Sequence, residues 1–394
     1  MFFKHLQKVF KDNIREYGMF IALFVIMAIF TITTDGIFIS SRNISNLLNQ
    51  TGYIAVLAVG MTLVIVIRHI DLSVGFLAGF LGAVAAVALQ FWGLPVWIVI
   101  PMTLGLGAVA GLITAYPVAQ LGIPSFVASL AGWLIYRGLL LLVTAATGTI
   151  IIQNDAFNAI GNGYIPDIFP ERAFLPDIHI ITLLLGIVAI VLFIINAFNS
   201  RQKKQAYDFE VLPKDMFIFE LVFVSIIVGL ITWVLAGYNG ISWTVVVVLA
   251  VVAIYHFTTT QTVVGRHIYA IGGNPEAAEL SGISVKKLTF AVFGSMGMLS
   301  ALSGILFASR LQSATTQAGT LFELDAIAAA YIGGVSAAGG VGKVTGSLIG
   351  AIVYMSLTSG MNLMNVDIAY QYVVRGAVLA LAVIFDVATR GQGN

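Results

Sequence analysis

Apolar stretches long enough to cross a bilayer recur from one end of the chain to the other, and most charged residues fall in the short segments between them. The pattern predicts spans at 18–34, 47–67, 74–91, 96–119, 125–146, 178–198, 216–236, 241–258, 288–308, 325–340, 344–362 and 369–387. A hydrocarbon core about 30 Å thick takes about 20 apolar residues per helix, so the chain has room for about ten to twelve spans and only small extramembrane parts. The expectation is an all-α polytopic helical bundle, one transmembrane domain over 1–394, with about twelve segments, ten being plausible for the core. The stretch 325–340 is short and rich in Ala and Gly. It reads as a broken helix, buried in protein and paired with 344–362, because lipid does not tolerate irregular backbone.

Charge sets the orientation. Lys4, Lys8, Lys11 and Arg15 precede the first apolar run with no small-residue cleavage site, so that run reads as a retained span with a cytoplasmic N-terminus. Alternation then puts the basic loop 199–215 (Arg201, Lys203, Lys204) inside, together with Arg266, His267, Lys286 and Lys287. It puts 147–177 outside, where Asp155, Asp167, Glu171 and Asp177 stand against Arg172. An even span count returns Arg390 and the C-terminus to the cytoplasm.

Composition narrows the classes. Of 394 residues, 59% are hydrophobic and 9% charged, and the mean hydropathy is +1.00, so a soluble fold could not hide the apolar surface. The chain has no cysteine, which excludes disulfides, thiolate metal ligands and thiol nucleophiles. A net charge of +1 argues against nucleic acid as a partner. ATP binding by this chain is not expected: Gly342-Lys343 is followed by Val344, and Ala337 stands where a phosphate loop needs Gly. The five histidines are scattered and no G-x-S-x-G elbow occurs, so a membrane enzyme is a poor second class.

Small residues recur at four-residue spacing in Gly75/Gly79, Gly107/Gly111, Ser300/Gly304 and Gly342/Gly346/Gly350. Such spacing lets helices approach closely in lipid, within the subunit or at a dimer contact. Arg68, His69 and Asp71 stand between two apolar runs. Either they form a short cytoplasmic turn in which Asp71 caps the next helix, or Asp71 and Ser73 lie beside a path or gate. Arg137 lies inside a span and is expected to pair with a buried carboxylate. Asp325, after Glu323, either caps the broken helix or lines a polar cavity with Arg310 and Gln312. Arg375 and Asp386 read as interfacial anchors.

The sharpest local signal lies in 272–287. Asn274 can cap a helix that has Pro275 first, Glu276 and Glu279 near its positive end, and Gly282 as its terminator. A two-turn helix holding Ala277 and Ala278, leading through Ser281 to Ile283 on the cytoplasmic face, suits docking into a partner's groove.

These motifs resemble the permease subunits of bacterial ATP-binding-cassette sugar importers of the ribose, galactose and xylose group. The resemblance rests on Thr34-Asp35-Gly36, Arg42-Asn43-Ile44-Ser45-Asn46-Leu47-Leu48, Ile70-Asp71-Leu72-Ser73-Val74-Gly75, Tyr269 to Asn274, Ser281-Gly282-Ile283 and Gly339-Gly340-Val341-Gly342, in order along most of the chain. Ser309-Arg310-Leu311, Glu323 to Ala329 and Gln371 to Ala377 are most similar to the xylose branch, as is an added helical pair around 195–240. The resemblance implies a multi-pass protein of the cytoplasmic membrane that works as a homodimer. It also implies an extracytoplasmic sugar-binding protein as donor, and a separate ATPase that carries the ATP and Mg while this chain binds no cofactor. Residues 274–283 would be the coupling helix. The rival reading is a self-contained secondary transporter with Asp71 and Asp325 as ion-coupling carboxylates.

Overall fold

The computed structural model describes residues 14–168, 178–209 and 211–390. Lys4, Lys8 and Lys11 of the basic N-terminus, and Glu171, Arg172 and Asp177 of the outer loop, lie outside the described residues, as do the side chains of Arg15 and Arg390.

Among the described residues nine helices are long and apolar enough to cross a membrane, and Gly18–Thr33 and Val74–Gln90 are shorter apolar helices. The chain runs through α1 (Ile14–Thr33), α2 (Ser41–Val66), α3 (Val74–Gln90), α4 (Val96–Ala119) and α5 (Ser125–Thr144). Strand β1 (Thr149–Ile151) and the short α6 (Asp155–Asn162) precede α7 (Ile180–Ala206), α8 (Lys214–Ala236) and α9 (Trp243–Gln261). Then come α10 (Val263–Gly273), α11 (Pro275–Leu280), α12 (Val285–Leu311), β2 (Ser313–Thr315), α13 (Phe322–Ile332), α14 (Val344–Leu363) and α15 (Ile368–Arg390).

Each apolar run predicted as a span has a helix, and the shortest of these is the one expected to be broken. The run 325–340 becomes α13, which has 11 residues and rises about 16 Å, half a hydrocarbon core. It ends where the chain turns irregular through Gly334, Gly339 and Gly340, all at positive φ. The all-α expectation holds apart from β1 and β2, which pair antiparallel with Ile150 opposite Ala314. The predicted basic loop 199–215 is shorter than expected. Helix α7 continues to Ala206 and α8 already begins at Lys214, because Gln and Lys after the apolar run are good helix formers that extend it beyond the bilayer.

The core is built on α2 and α12, whose middle turns are buried on nearly every side. The two cross where Gly60 meets Met296. Helices α4 and α12 approach through Gly107, Gly111 and Gly297, so closely that a Cβ on Gly111 would stand 2.1 Å from the Phe293 carbonyl oxygen. Gly82 and Gly304 join α3 to α12, and Gly346 and Gly350 seat α14 on Gly333 and Ala329 of α13. Gly75 and Gly79 take the backbone of 318–319, while Gly342 packs on Val335. All these small-residue contacts are therefore within one chain.

The packing is repeated with opposite direction. Helix α3 lies on α12 and α13 on α2; α4 packs on α12 and α14 on α2; α5 flanks α3 as α15 flanks α13. The series α2–α5 and α12–α15 thus have matching neighbours but cross the membrane oppositely, the arrangement of an inverted repeat. The added pair α7 and α8 packs mainly on itself, with Gly186 against Thr232. It is tied to the outer side by Asp167 Oδ2, which accepts the Ile180 N–H at 2.9 Å, and by Thr182 Oγ1, which accepts the Ile241 N–H at 3.1 Å.

Candidate functional site

Two interruptions in the helical bundle gather the polar residues. The first follows α2. His69 N–H reaches the Val64 carbonyl and Arg68 N–H the Ile65 carbonyl, the paired bonds of a Schellman stop, and Arg68 takes the left-handed position at φ 65°. A residue with a Cβ there costs about 1–2 kcal/mol. The chain then climbs back into the protein. Ser125 Oγ accepts the Ile70 N–H at 3.1 Å, and Asp71 Oδ1 accepts Ser73 N–H at 2.9 Å and Ser73 Oγ–H at 2.6 Å, closing the turn that opens α3.

Asp71 is 2% exposed and Ser73 is fully buried, which corrects the idea of a short turn in the cytoplasm. Asp71 does stabilise the start of α3, but inside the bundle. Ala78, near that start, meets Gly304, which lies nearly three-quarters of the way along α12 from its cytoplasmic end. Helix α3 therefore begins deep in the membrane, and its 17 residues rise about 25 Å from there.

The second interruption lies between α12 and α13. Gln312 ends α12 at φ 52° and Leu321 caps α13 at φ 65°. Between them the chain returns inward from β2 along α3, with Gly319 against Gly75. The N-termini of these two interrupted helices thus meet at one depth, and each brings acid to the positive end of its helix.

Around this meeting point Trp133 Nε1–H donates to Glu323 Oε1 at 3.0 Å. Glu323 Oε2 is buried against Gly75 with no hydrogen-bond partner. Gly132 packs on Ser73, so α5 touches both interruptions. Arg137 lies one turn further along α5. Its guanidinium donates to the Thr316 carbonyl and stands 4.9 Å over the Phe76 ring. The expected carboxylate partner is replaced by a backbone carbonyl of the re-entrant segment.

Asp325 is on the other side of α13 and forms an ion pair with Arg375 of α15, whose Nε–H donates to the Tyr354 hydroxyl at 3.1 Å. Asp325 thus joins neither Arg310 nor Gln312. Arg310 stays at the outer end of α12, where its backbone meets Gly161. Arg375 and Asp386 are not interfacial anchors: the first serves Asp325, and Asp386 Oδ2 accepts the Ala337 N–H at 3.1 Å, holding the loop after α13. Among the described residues no group of three or more His, Asp or Glu could hold a metal ion.

Below, the cytoplasmic stretch forms an elbow of two short helices. Thr262 caps α10, and Asn274 Oδ1 accepts the Ala277 N–H at 3.0 Å to cap α11, with Pro275 in its first turn. Ser281 Oγ–H returns to the Ala277 carbonyl at 2.8 Å. Gly282, at φ 84°, ends the helix, and Ile283 N–H closes on the Ala278 carbonyl. Ala278 faces inward, Glu276 and Glu279 face solvent, and Leu280 is 91% exposed. The elbow is joined to the bundle by Arg68, whose Nε–H donates to the Gly272 carbonyl at 2.7 Å and whose Nη2 donates to the Gly273 carbonyl. Tyr269 hydroxyl donates to the Gly342 carbonyl.

Sequence reasoning singled out Asp71, Ser73, Glu323 and Arg137, which do gather round the N-terminus of α3. It missed Tyr354 and the use of Arg375, since no local pattern announces a partner fifty residues away. A visible cue existed for Trp133, which shares a helix face with Arg137 at i, i+4 spacing.

Comparison with known proteins completes the picture. The Xylose transport system permease protein XylH of Haemophilus influenzae is 41% identical over 380 residues, covering 96% of this chain and 97% of its own. Its namesake in Escherichia coli is 40% identical over 378 residues, 96% and 93% of the two chains. The Ribose import permease protein RbsC of Haemophilus influenzae is 33% identical over 374 residues, 94% and 93%. No solved structure matches. Residues 43–383, from the first turn of α2 to the last turns of α15, match the family described as "Branched-chain amino acid transport system / permease component", and this multi-pass membrane protein belongs to it.

Proposed function

We propose that this chain is the membrane-spanning permease subunit of an ATP-driven monosaccharide importer of the cytoplasmic membrane, with D-xylose as the expected sugar. The higher identity to the xylose permeases than to the ribose permease supports that choice; ribose, galactose or another monosaccharide is the alternative. A second copy of the chain completes the pathway, an extracytoplasmic binding protein delivers sugar, and a separate ATPase holds the ATP and Mg. The single domain 1–394 is interrupted on its cytoplasmic side by the coupling element at 272–287.

The observation that carries this reading is the elbow α10–α11. A capped helix whose apolar Leu280 and acidic Glu276 and Glu279 all point into the cytoplasm buries nothing within its own chain except Ala278, and such a helix fits a groove on a partner. ATP-driven closure of the ATPase pair moves Asn274–Ile283 and converts an outward-open arrangement into an inward-open one. Asp71, Ser73, Arg137, Arg310, Glu323 and Asp325 are assigned to the path or its gates.

The test is ATP-dependent uptake of labelled xylose by vesicles containing this chain, its ATPase and its binding protein. Glu276→Arg and Gly282→Pro should abolish uptake while the permease still inserts and assembles. Uptake by the permease alone, driven by an ion gradient and indifferent to both changes, would instead make it a secondary transporter using its buried carboxylates.

A further inference from the structure

Arg68 lies where the cytoplasmic elbow meets both the interruption after α2 and the segment that leaves α13. The position it occupies, left-handed at the end of α2, is one that glycine fills without strain. An arginine there must bear a backbone cost, and its side chain is spent on two bonds: Nε–H to Gly272 and Nη2–H to Gly273. Those carbonyls are the last two of α10, where the helix dipole is negative and a cation is favoured. They immediately precede Asn274, the cap of α11. The planar guanidinium fork fixes direction as well as distance, which a lysine ammonium does not.

On its other side Arg68 opens the segment that climbs to Asp71 and Ser73 and so to the buried start of α3. The chain leaving α13 arrives at the same point. Gly340 N–H donates to the Val66 carbonyl at 2.9 Å, and a Cβ on Gly339 would be 2.4 Å from Arg68 Cγ. Gly272 is equally tight, since its Cβ would fall 2.0 Å from the Val66 oxygen and 2.5 Å from Gly340 N. Three backbones thus touch without intervening side chains. Displacement of the elbow is passed on rather than absorbed by rotamer changes.

We infer that Arg68 is a positioning residue that transmits movement of the α10–α11 elbow to both interrupted helices, α3 through 67–73 and α13 through 333–343. The inference rests on the coupling role proposed above for α11. A simple stop for α2 would need only the backbone conformation, and glycine would serve it better.

The experiment uses the complete permease, ATPase and binding-protein complex in vesicles. Because the chain has no cysteine, Gln317→Cys, exposed in the re-entrant segment before α13, reports opening through its labelling rate with a membrane-impermeant maleimide, with and without ATP and vanadate. In the parent chain the rate should differ between nucleotide states. Arg68→Ala and Arg68→Gly should both keep the ATPase bound and hydrolysing, yet lose that difference and lower sugar moved per ATP by about tenfold. Arg68→Lys should fall between. Glycine is the decisive variant, because it satisfies the backbone and omits the link.

If Arg68→Gly transports sugar per ATP as the parent does, or keeps nucleotide-dependent labelling, the transmitting role is wrong and Arg68 only ends a helix. That failure is distinct from failure of the coupling-helix reading, in which Glu276→Arg itself would leave uptake unchanged.

Discussion

Deleting one member of the Asp325–Arg375 pair should cost more than the contact it removes. Their side chains are 9% and 17% exposed, so the near-zero value of a solvated surface pair, about 0–1 kcal/mol, does not apply. Breaking a buried pair from one side leaves an uncompensated charge and costs about 3–5 kcal/mol. Arg375 stands in the second turn of α15, where in a separated helix its long side chain could snorkel to water. That relief in the unfolded reference puts the expectation for Asp325→Ala at the lower end, about 3 kcal/mol.

At about 2 °C per kcal/mol for a large chain, Tm in detergent should fall by about 6 °C. Arg375→Ala should cost a similar amount, because it strands Asp325. The double substitution Asp325→Leu with Arg375→Met leaves no orphan charge and should lie within about 2 °C of the parent, far from additive. Thermal unfolding followed by size-exclusion chromatography reads all three. Single losses under about 2 °C, or a double loss equal to the sum of the singles, would refute the view that charge stranding sets the cost.

Three further outcomes follow from local geometry. Gly111→Ala should collapse the folded yield, since its Cβ would sit 2.1 Å from the Phe293 carbonyl oxygen, whereas Gly105→Ala on the same helix meets nothing within 4 Å and should be neutral or raise Tm slightly; parallel purification decides. Trp133→Phe removes the indole hydrogen bond to the Glu323 carboxylate and should cost about 1–3 kcal/mol, a loss that Trp133→Phe combined with Glu323→Leu should largely recover in the same thermal assay. Asn274→Ala removes the α11 cap, worth about 1 kcal/mol, and should lower ATP-driven uptake several-fold while Asn274→Asp retains it.

The spans were legible because a membrane helix announces itself by composition alone. The runs at 96–119 and 125–146 became α4 and α5 almost residue for residue, and the weak run 325–340 correctly read as a broken helix. Depth was not legible. Nothing in Arg68-His69-Ile70-Asp71-Leu72-Ser73 distinguishes a turn lying in the cytoplasm from one that begins there and climbs into the bundle. The difference comes from Ser125, Gly132 and Gly304, which are remote in sequence. Partner choice was also out of reach: Arg137 was expected to find a carboxylate and Arg375 to anchor the last span at the interface, yet the first holds a backbone carbonyl and the second a carboxylate. The caps of α11, by contrast, were all readable, since Asn274, Pro275 and Gly282 each act within a turn of the helix end they mark.

The two interruptions explain one another. A continuous helix transmits a push along its axis but cannot tilt one half without the other, and bilayer-facing backbone cannot be left unpaired to gain that freedom. Here each broken segment is shielded by the other repeat: Gly319 of the second lies on Gly75 of the first, and Gly340 of the second bonds to Val66 of the first. Unpaired backbone is thus confined to protein at both levels, mid-bilayer and cytoplasmic. The same two contacts oblige α3 and α13 to shift together. Since both cytoplasmic ends converge on the Gly272–Gly273 carbonyls, a displacement of α11 reaches the buried meeting point of the helices from two sides, and a single elbow suffices to move both halves of the repeat.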